Sequence, residues 1–147
     1  MRHASVTVFV HLVWATWDRL PFLTGDVERR VYRAIGDKCV ALGAQIIALG
    51  GVEDHVHLLV RLPAAVSIAD LVKHLKGASA HLITHETPNA PFFKWQGAYA
   101  AFSVSPRHLH EATDYITHQR QHHQAGTLIP ALEPSDDRDD HEDRDRP

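Results

Sequence analysis

The chain has 147 residues, of which 44% are hydrophobic and 22% charged, a balance typical of one globular domain and not of a disordered or fibrous chain. Its apolar runs are much shorter than the roughly 18 residues that span a bilayer, and its start lacks the apolar stretch of a signal peptide. We therefore expect a cytoplasmic protein without a membrane partner. The single cysteine, Cys39, excludes an internal disulfide and is expected in the core.

The net charge of −3 hides an uneven distribution along the chain. Residues 129–147 hold eight acidic residues against three arginines, whereas residues 1–128 hold twelve basic and ten acidic residues. The mildly basic body is compatible with a polyanionic partner. The acidic segment contains three prolines and little apolar content, which predicts a disordered tail. We therefore divide the chain into a folded domain over 1–128 and a tail over 129–147.

The first half of the chain predicts three strands and one helix. Residues 5–15 are rich in β-branched and aromatic side chains, which indicates a buried strand. An apolar stripe at helical spacing predicts a helix from Asp26 to Leu42. Residues 44–52 predict a second strand, which turns at two glycines into a third strand over 54–61. Because this connection is so short, the second and third strands should be antiparallel.

The second half of the chain predicts two helices and one strand. Ser67 begins a helix, since Asp70 three residues later can complete a capping box. Residues 92–104 predict a fourth strand. Ser105-Pro106 then supplies the N-cap and first-turn signals for a last helix that extends to about residue 124.

The order of these elements, β-α-β-β-α-β plus a C-terminal helix, predicts an α+β fold of the ferredoxin-like (split βαβ) class. With right-handed crossovers, two helices cover one face of a four-stranded antiparallel sheet, and the other face is expected to stay open. The first and third strands are central neighbours in this topology. His11 on the first strand should therefore lie close to the third strand.

The third strand carries a pair of histidines that alternates with its apolar residues. In Asp54-His-Val-His-Leu-Leu-Val-Arg61, the side chains of His55 and His57 point to the face opposite Val56 and Leu58. Two neutral imidazoles held side by side can chelate one divalent ion. The alternative is a pair of exposed histidines in a chain that has 13 of them.

The last helix carries a tyrosine that lies off its apolar stripe. Tyr115 and Gln119 are four residues apart and share a face, with His118 and His122 beside them, whereas the apolar stripe comprises Leu109, Ala112 and Ile116. A tyrosine in polar company is available for chemistry. Tyr32 and Tyr99 are the competing tyrosines, but each is expected to pack within its own element.

Taken in order, these motifs resemble the single-tyrosine HUH transposases of small bacterial insertion sequences, to which the REP-associated tyrosine transposases are related. The likeness includes Asp-His-Val-His-Leu-Leu-Val at 54–60 and Tyr-Ile-x-x-Gln at 115–119. It extends over most of residues 5–124, through His11-Leu-Val-Trp14, Lys76-Gly77, Trp95-Gln96 and Phe102-Ser-Val-Ser105. The ordered combination is more specific than any one of these motifs.

The resemblance implies the roles of the residues in the site. His55, His57 and Gln119 would bind a divalent metal, Mg²⁺ or Mn²⁺, and Tyr115 would be the nucleophile. The enzyme would cleave and rejoin single-stranded DNA at hairpin-bearing element ends, acting as endonuclease and strand transferase in DNA transposition through a 5′-phosphotyrosine. Three residues are candidates to orient these ligands by hydrogen bonding without binding the metal themselves: His11, Asp54 and His118. Candidates for contact with the DNA backbone are Arg19, Lys73, Lys76 and Lys94.

The resemblance also implies a homodimer with composite sites, in which the Tyr115 helix of one subunit completes the histidine pair of the other. Two features depart from the family pattern: alanines at 78 and 80, where polar or basic side chains are expected, and the acidic tail. The main alternative is a non-catalytic or domesticated nucleic-acid-binding module on the same fold. A nucleotide hydrolase of the histidine-triad kind is disfavoured, because Leu59 stands where its third histidine is needed.

Overall fold

The helices and strands of residues 4–134, the part of the chain that a computed structural model describes, follow the predicted order. Three short 3₁₀ turns accompany them, at Trp17–Arg19, Pro106–His108 and Pro130–Leu132. The main elements are β1 (Phe9–Ala15), α1 (Gly25–Leu42), β2 (Gln45–Val52), β3 (His55–Arg61), α2 (Ile68–His85), β4 (Ala100–Val104), α3 (Leu109–Thr117) and α4 (Gln119–Ala125).

The four strands form one antiparallel sheet in the order β2-β3-β1-β4. This order confirms the ferredoxin-like prediction, with β1 and β3 in the centre. In the register of these two strands, Val13 pairs with His57 and Ala15 pairs with His55. The sheet thereby fixes the histidine pair on its most protected strands.

Helices α1 and α2 cover one face of the sheet and enclose the main core. The alternating residues Val56, Leu58 and Val60 of β3 are fully buried in this core, as the strand pattern predicts. The start of α2 also follows its predicted signal, because Ser67 Oγ accepts a hydrogen bond of 3.1 Å from the backbone N–H of Asp70. The other core residues include Trp14, Val31, Ile35, Cys39, Leu71, Leu75 and Ile83.

The opposite face of the sheet is covered as well, so the expectation of an open face is wrong. The apolar stripe of α3 packs there, and Ile116 forms a second buried cluster with Ala48 and Leu59. The apolar stripe of α3 agrees with the predicted one. Packing it against Leu59 removes apolar surface from water, which stabilises the covered face. Gly50 allows the close approach, because its backbone meets the Ile116 carbonyl where no side chain would fit.

The last helix and the fourth strand are shorter than predicted. Backbone angles of φ −106° and ψ 32° at His118 divide the last helix into α3 and α4. Arg120 in α4 bridges Glu28 of α1, at 2.6 Å, and Glu53 of the β2–β3 turn, at 2.5 Å. Residues 92–99 contribute one isolated bridge, from Trp95 to Thr16, and no further strand within the described chain.

The segment after α4 turns back over the sheet. Residues 129–134, which were assigned to the disordered tail, include the 3₁₀ turn Pro130–Leu132 and Glu133, whose side chain is largely buried. The described structure therefore extends six residues past the predicted boundary at residue 128. The remainder of the predicted tail, residues 135–147, lies outside the described residues. Among residues 4–134, no helix combines the length and the apolar character that crossing a membrane requires.

Candidate active site

The imidazoles of His55 and His57 lie side by side on the face of the sheet that α3 covers. Their ring centroids are 5.1 Å apart, and both side chains are fully buried. The strand alternation that directs Val56 into the main core directs these two rings to the opposite side. The prediction that the rings share a face is confirmed, although they are enclosed and not open to solvent.

Asp54 orients the ring of His55. The Asp54 carboxylate accepts a hydrogen bond of 2.7 Å from His55 Nδ1 and one of 3.1 Å from the Arg19 guanidinium. With its proton on Nδ1, His55 presents its Nε2 atom to the site. Burial opposes the charged imidazolium, but the carboxylates of Asp54 and Glu133 outweigh it and hold the pKa of His55 above its usual value.

His11 plays the corresponding part for His57. The Nε2 atom of His11 lies 2.8 Å from Nδ1 of His57, so one ring donates to the other. Burial, together with the neighbouring His57, lowers the pKa of His11 to about 4, and burial also lowers the pKa of His57. Both rings are therefore neutral at pH 7. The Nε2 atom of His57 faces the site, where it can donate to Glu133 while His11 donates to Nδ1. Once its proton moves to Nδ1, the same Nε2 atom can bind a cation.

Tyr115 extends from α3 to the same site. Its ring centroid lies 5.9 Å from that of His57, and its hydroxyl donates a short hydrogen bond to Glu133 and accepts one of 3.0 Å from the backbone N–H of Ile129. Burial and the Glu133 contact raise the pKa of Tyr115 to about 12, against the opposing influence of Ile129 and Gln119. The phenol is therefore protonated in this arrangement.

Glu133 is the site residue that sequence reasoning missed. One of its oxygens lies 2.9 Å from His55 Nε2 and 3.2 Å from His57 Nε2, and the other contacts the Tyr115 hydroxyl. Burial opposes ionisation, but the hydrogen bonds from these three side chains hold the pKa of Glu133 well below its usual range. The signal in the sequence was the apolar run over 128–132, which is out of place in a solvated acidic tail.

Gln119 and His123 complete the site from the side of α4. Gln119 is 1% exposed, and its Nε2 donates a hydrogen bond of 3.1 Å to the Tyr115 carbonyl. Its buried Oε1 has no hydrogen-bond partner among residues 4–134. The His123 ring lies 5.1 Å from that of His55, and its Nε2 is 3.7 Å from Glu133. His123 was also missed, although its spacing of four residues from Gln119 placed both on one helical face.

These donors fit a divalent metal ion. His55, His57 and Glu133 form a group that could bind one, with ligand atoms all within 4.8 Å of one another. The unsatisfied Oε1 of Gln119 is a further buried acceptor of the kind that a cation satisfies. Imidazole, carboxylate and amide ligands together suit Mn²⁺ better than a site made of oxygen ligands alone would.

The basic residues that were expected to contact DNA are divided between two sides of the molecule. Arg19 is paired with Asp54, and the Lys94 ammonium lies 4.0 Å from the Trp17 ring centroid, so both are at the end of the sheet that carries the site. Lys76 donates to two backbone carbonyls, at 2.7 and 2.9 Å, and thereby ties α2 to the loop that precedes β4. Lys73 lies in a groove between α1 and α2, on the helix layer across the sheet from the histidines.

The geometry also bears on the expectations for His118, for the subunit pairing and for Tyr99. His118 is exposed, and its Nδ1 donates a hydrogen bond of 2.9 Å to the Asp114 carbonyl on its own helix, away from the histidine pair. Tyr115 lies beside the His57 ring of its own chain, so one chain suffices to bring the two together. A composite site made by two subunits is therefore not required for the tyrosine to reach the histidines. Tyr99, which was expected to pack within a strand, is 41% exposed ahead of β4.

Comparisons with known proteins place these residues in a wider context. A family model described as "Transposase IS200 like" matches residues 4–119. The chain is 31% identical over 114 residues to the ISDra2 transposase TnpA of Deinococcus radiodurans, a match that covers 74% of this chain and 81% of the relative. It is 24% identical over 134 residues to the IS200 transposase of Salmonella typhimurium, covering 88% of each chain.

Two solved structures are similar to this one. A crystal structure described as a transposase from Deinococcus radiodurans R1 superposes with a TM-score of 0.62 at 29% identity, over 79% of this chain and 93% of that one. The structure of a REP-associated tyrosine transposase bound to a REP hairpin gives a TM-score of 0.63 over 87% of this chain and 74% of the other. At 14% identity, the second likeness concerns the fold alone.

Proposed function

Because this chain belongs to the IS200-like transposase family, we propose that it cleaves and rejoins single-stranded DNA through a covalent bond to Tyr115. The observation that supports this most directly is the meeting of one phenol with two imidazoles that each present an Nε2 atom. A nucleophile and a candidate cation site lie within one enclosure. That combination is what phosphodiester chemistry requires.

The reaction consists of two reversible transfers of a DNA phosphoryl group, first to Tyr115 and then to a 3′-OH. The Tyr115 oxygen attacks the phosphodiester, a P–O bond to the phenol forms, and the bond to the 3′ oxygen breaks. The phenolic proton is lost and the departing 3′ oxygen gains one, leaving a 5′-phosphotyrosine and a free 3′-OH. A 3′-OH from another strand then attacks the phosphotyrosine, and the phenol is regenerated. The ester bond is conserved in the covalent link, so rejoining needs no nucleotide cofactor.

The protein contributes orientation and charge to this reaction. His55, His57 and Gln119 would hold a divalent ion, Mn²⁺ or Mg²⁺, which when bound withdraws negative charge from a non-bridging phosphate oxygen. Asp54 and His11 keep the two imidazoles in the orientation that leaves Nε2 available. The packing of Ile116 against Ala48 and Leu59 fixes the adjacent Tyr115 at the site.

We further propose that the substrate is hairpin DNA and that two copies of the chain pair. The relative that was solved with a REP hairpin supports the first part. Arg19 and Lys94 are the basic candidates on the side of the site, and they would contact phosphates rather than bases. Since Tyr115 reaches its own His57, we expect each free subunit to hold a complete site, even within a dimer.

The test is the formation of a covalent adduct. Purified protein with Mn²⁺ is incubated with 3′-labelled hairpin oligonucleotides taken from the DNA that flanks the gene, and label that migrates with denatured protein is measured. We expect an adduct with the wild type and none with Tyr115→Phe, although Tyr115→Phe should still bind the DNA. Tyr99→Phe, which alters an exposed tyrosine, is the matched control and should form the adduct normally.

Two results would redirect the proposal. An undiminished adduct in Tyr115→Phe would place the nucleophile elsewhere. Tight hairpin binding by the wild type without an adduct, at any Mn²⁺ concentration, would favour the non-catalytic binding module. His57→Ala separates the role of the metal, because it should reduce Mn²⁺ binding, measured by calorimetry, and adduct formation together.

A further inference from the structure

The segment that follows α4 lies across the site. Helix α4 ends at Gly126, whose left-handed φ of 67° turns the chain back. The backbone N–H of Thr127 then donates to the His122 carbonyl at 3.0 Å, and the N–H of Ile129 donates to the Tyr115 hydroxyl at 3.0 Å. We name residues 127–134 the strap. The strap ends with the Glu133 carboxylate between the two imidazoles and the phenol.

The position of Glu133 is the position that a reacting phosphate needs. Its Oε2 atom lies within 3.2 Å of both imidazole Nε2 atoms, and its Oε1 atom contacts the Tyr115 hydroxyl. A phosphodiester under attack must bring its phosphorus to the Tyr115 oxygen, about 3–3.5 Å away, and an anionic oxygen to the cation site. The Glu133 carboxylate and the phosphate are both anionic, and each would place two oxygens next to the imidazoles and the phenol. The two groups therefore cannot occupy the site at the same time.

We propose that the strap closes the site in the free protein, with Glu133 in the place of the scissile phosphate, and that single-stranded DNA must displace it. This inference rests on the proposed function and adds a regulation to it. Substrate binding then competes with an intramolecular carboxylate. The apparent Kd for DNA then equals the Kd of the open form divided by the fraction of molecules in which the strap is open.

The composition of the strap fits a segment that is released and not a permanent wall. Each of its residues is at least partly exposed, and Ile129 is 46% exposed, so the strap buries little apolar surface. It is held by a few polar contacts to His122, to Tyr115 and at Glu133. Segments with few buried apolar contacts open at low cost in free energy. The charged side chain of the strap, Glu133, is negative, as the DNA backbone is. Bound DNA therefore repels the strap and does not stabilise it in the site.

The alternative is that Glu133 stays in place as a permanent metal ligand or proton acceptor. The two hypotheses predict opposite effects of removing its charge. If Glu133 competes with DNA, Glu133→Gln should bind DNA more tightly and expose the strap. If Glu133 is part of the working site, the same substitution should weaken Mn²⁺ binding and adduct formation and should leave the strap in place.

The experiment measures DNA affinity and strap exposure on the full chain. The probe is a fluorescent 30-nucleotide oligothymidylate at one fixed salt concentration, because DNA affinity depends on salt. If the strap of the wild type is closed in about nine-tenths of the molecules and Glu133→Gln opens it, the variant should bind DNA with a Kd about tenfold lower. Glu111→Gln removes the same charge from the exposed face of α3 and should change the Kd by less than about twofold.

Limited proteolysis reports on the strap without any need for catalysis. Chymotrypsin can cut after Leu128 and Leu132, and mass spectrometry identifies the fragments. Cleavage should be slow in the free wild type, faster when oligothymidylate is added, and fast in Glu133→Gln without DNA. Glu111→Gln should behave as the wild type does.

The outcomes separate the strap from the proposed function. If adducts form, but neither Glu133→Gln nor DNA changes the cleavage of the strap, the strap proposal fails and the transposase chemistry stands. If DNA and Glu133→Gln both expose the strap, but no adduct forms with any variant, the strap stands and the proposed chemistry fails. Weaker DNA binding and weaker Mn²⁺ binding in Glu133→Gln would overturn the strap in favour of a permanent ligand.

Discussion

The docking of α3 depends on the absence of a side chain at Gly50, and Gly50→Ala tests this dependence. Gly50 lies in β2, paired with His57 of β3. A Cβ atom added there would be 2.2 Å from the Ile116 carbonyl oxygen and 3.1 Å from its carbon. Both contacts are with backbone, which cannot rotate away as a flexible side chain can. To restore ordinary contact distances, α3 must move by about 1 Å away from the sheet.

The cost of this movement can be bounded. Overpacking of a well-packed region usually destabilises by about 1–3 kcal/mol, and here the cluster of Ala48, Leu59 and Ile116 takes the strain. We expect urea unfolding of Gly50→Ala to show a loss of roughly 2 kcal/mol. Gly77→Ala is the matched control, since open space surrounds position 77 within the described chain and the residue lies inside α2. That variant should gain about 0.5–1 kcal/mol from helix propensity.

The same displacement should affect catalysis more than it affects stability. Tyr115 precedes Ile116, so a shift of α3 by about 1 Å carries the phenol away from His57, and misplacement on this scale can cost on the order of a hundredfold in rate. We expect the rate of adduct formation by folded Gly50→Ala to fall at least tenfold. If Gly50→Ala unfolds at the same urea concentration as the wild type and forms adduct at the same rate, the close approach of α3 to β2 is wrong.

Three further predictions concern the site and the loop beside it. Gln119→Leu removes a buried acceptor without a partner and also the hydrogen bond from Nε2 to the Tyr115 carbonyl, so urea unfolding of the metal-free protein should change by less than about 1 kcal/mol. The same variant should lose the stabilisation that Mn²⁺ gives the wild type, and an undiminished stabilisation by Mn²⁺ would contradict a role for Gln119 as a ligand. Asp54→Asn frees the ring of His55 and should weaken Mn²⁺ binding by about 10–100-fold in calorimetry, and unchanged affinity would refute the orienting role. Burial lowers the pKa of Lys76 to about 8, so the folded chain loses this proton at a lower pH than the unfolded chain. Between about pH 8 and about pH 10 the free energy of unfolding of the wild type should therefore rise relative to that of Lys76→Met, and a constant difference would exclude that proton release.

Local patterns determined most of the fold. The alternation along β3 and the apolar stripe of α1 depend on neighbouring residues, and the element order with right-handed crossovers then left one sheet topology. The same local rules placed four residues of the candidate site on two faces. They directed His55 and His57 to one face and set Tyr115 and Gln119 on a second face four residues apart.

The boundaries were less accurate where tertiary contacts override propensity. Residues 92–104 look like one strand, but only Ala100–Val104 pairs along β1, because Lys76 holds the carbonyls of the preceding loop against α2. The last helix looks continuous, yet it breaks at His118. Packing of Ile116 against the sheet and the bridge from Arg120 to Glu53 accompany this change of direction.

By itself, the sequence determined the strands, the helices, their order and the face on which each chemical group stands, because these follow from backbone periodicity over a few residues. Only the tertiary structure decided that α3 closes the second face, that Tyr115 meets the histidines of its own chain, and that Glu133 lies between them. Glu133 is 76 residues from His57 in the chain. A contact over that separation depends on how helices dock and where a turn directs the chain, and a local pattern carries no record of either.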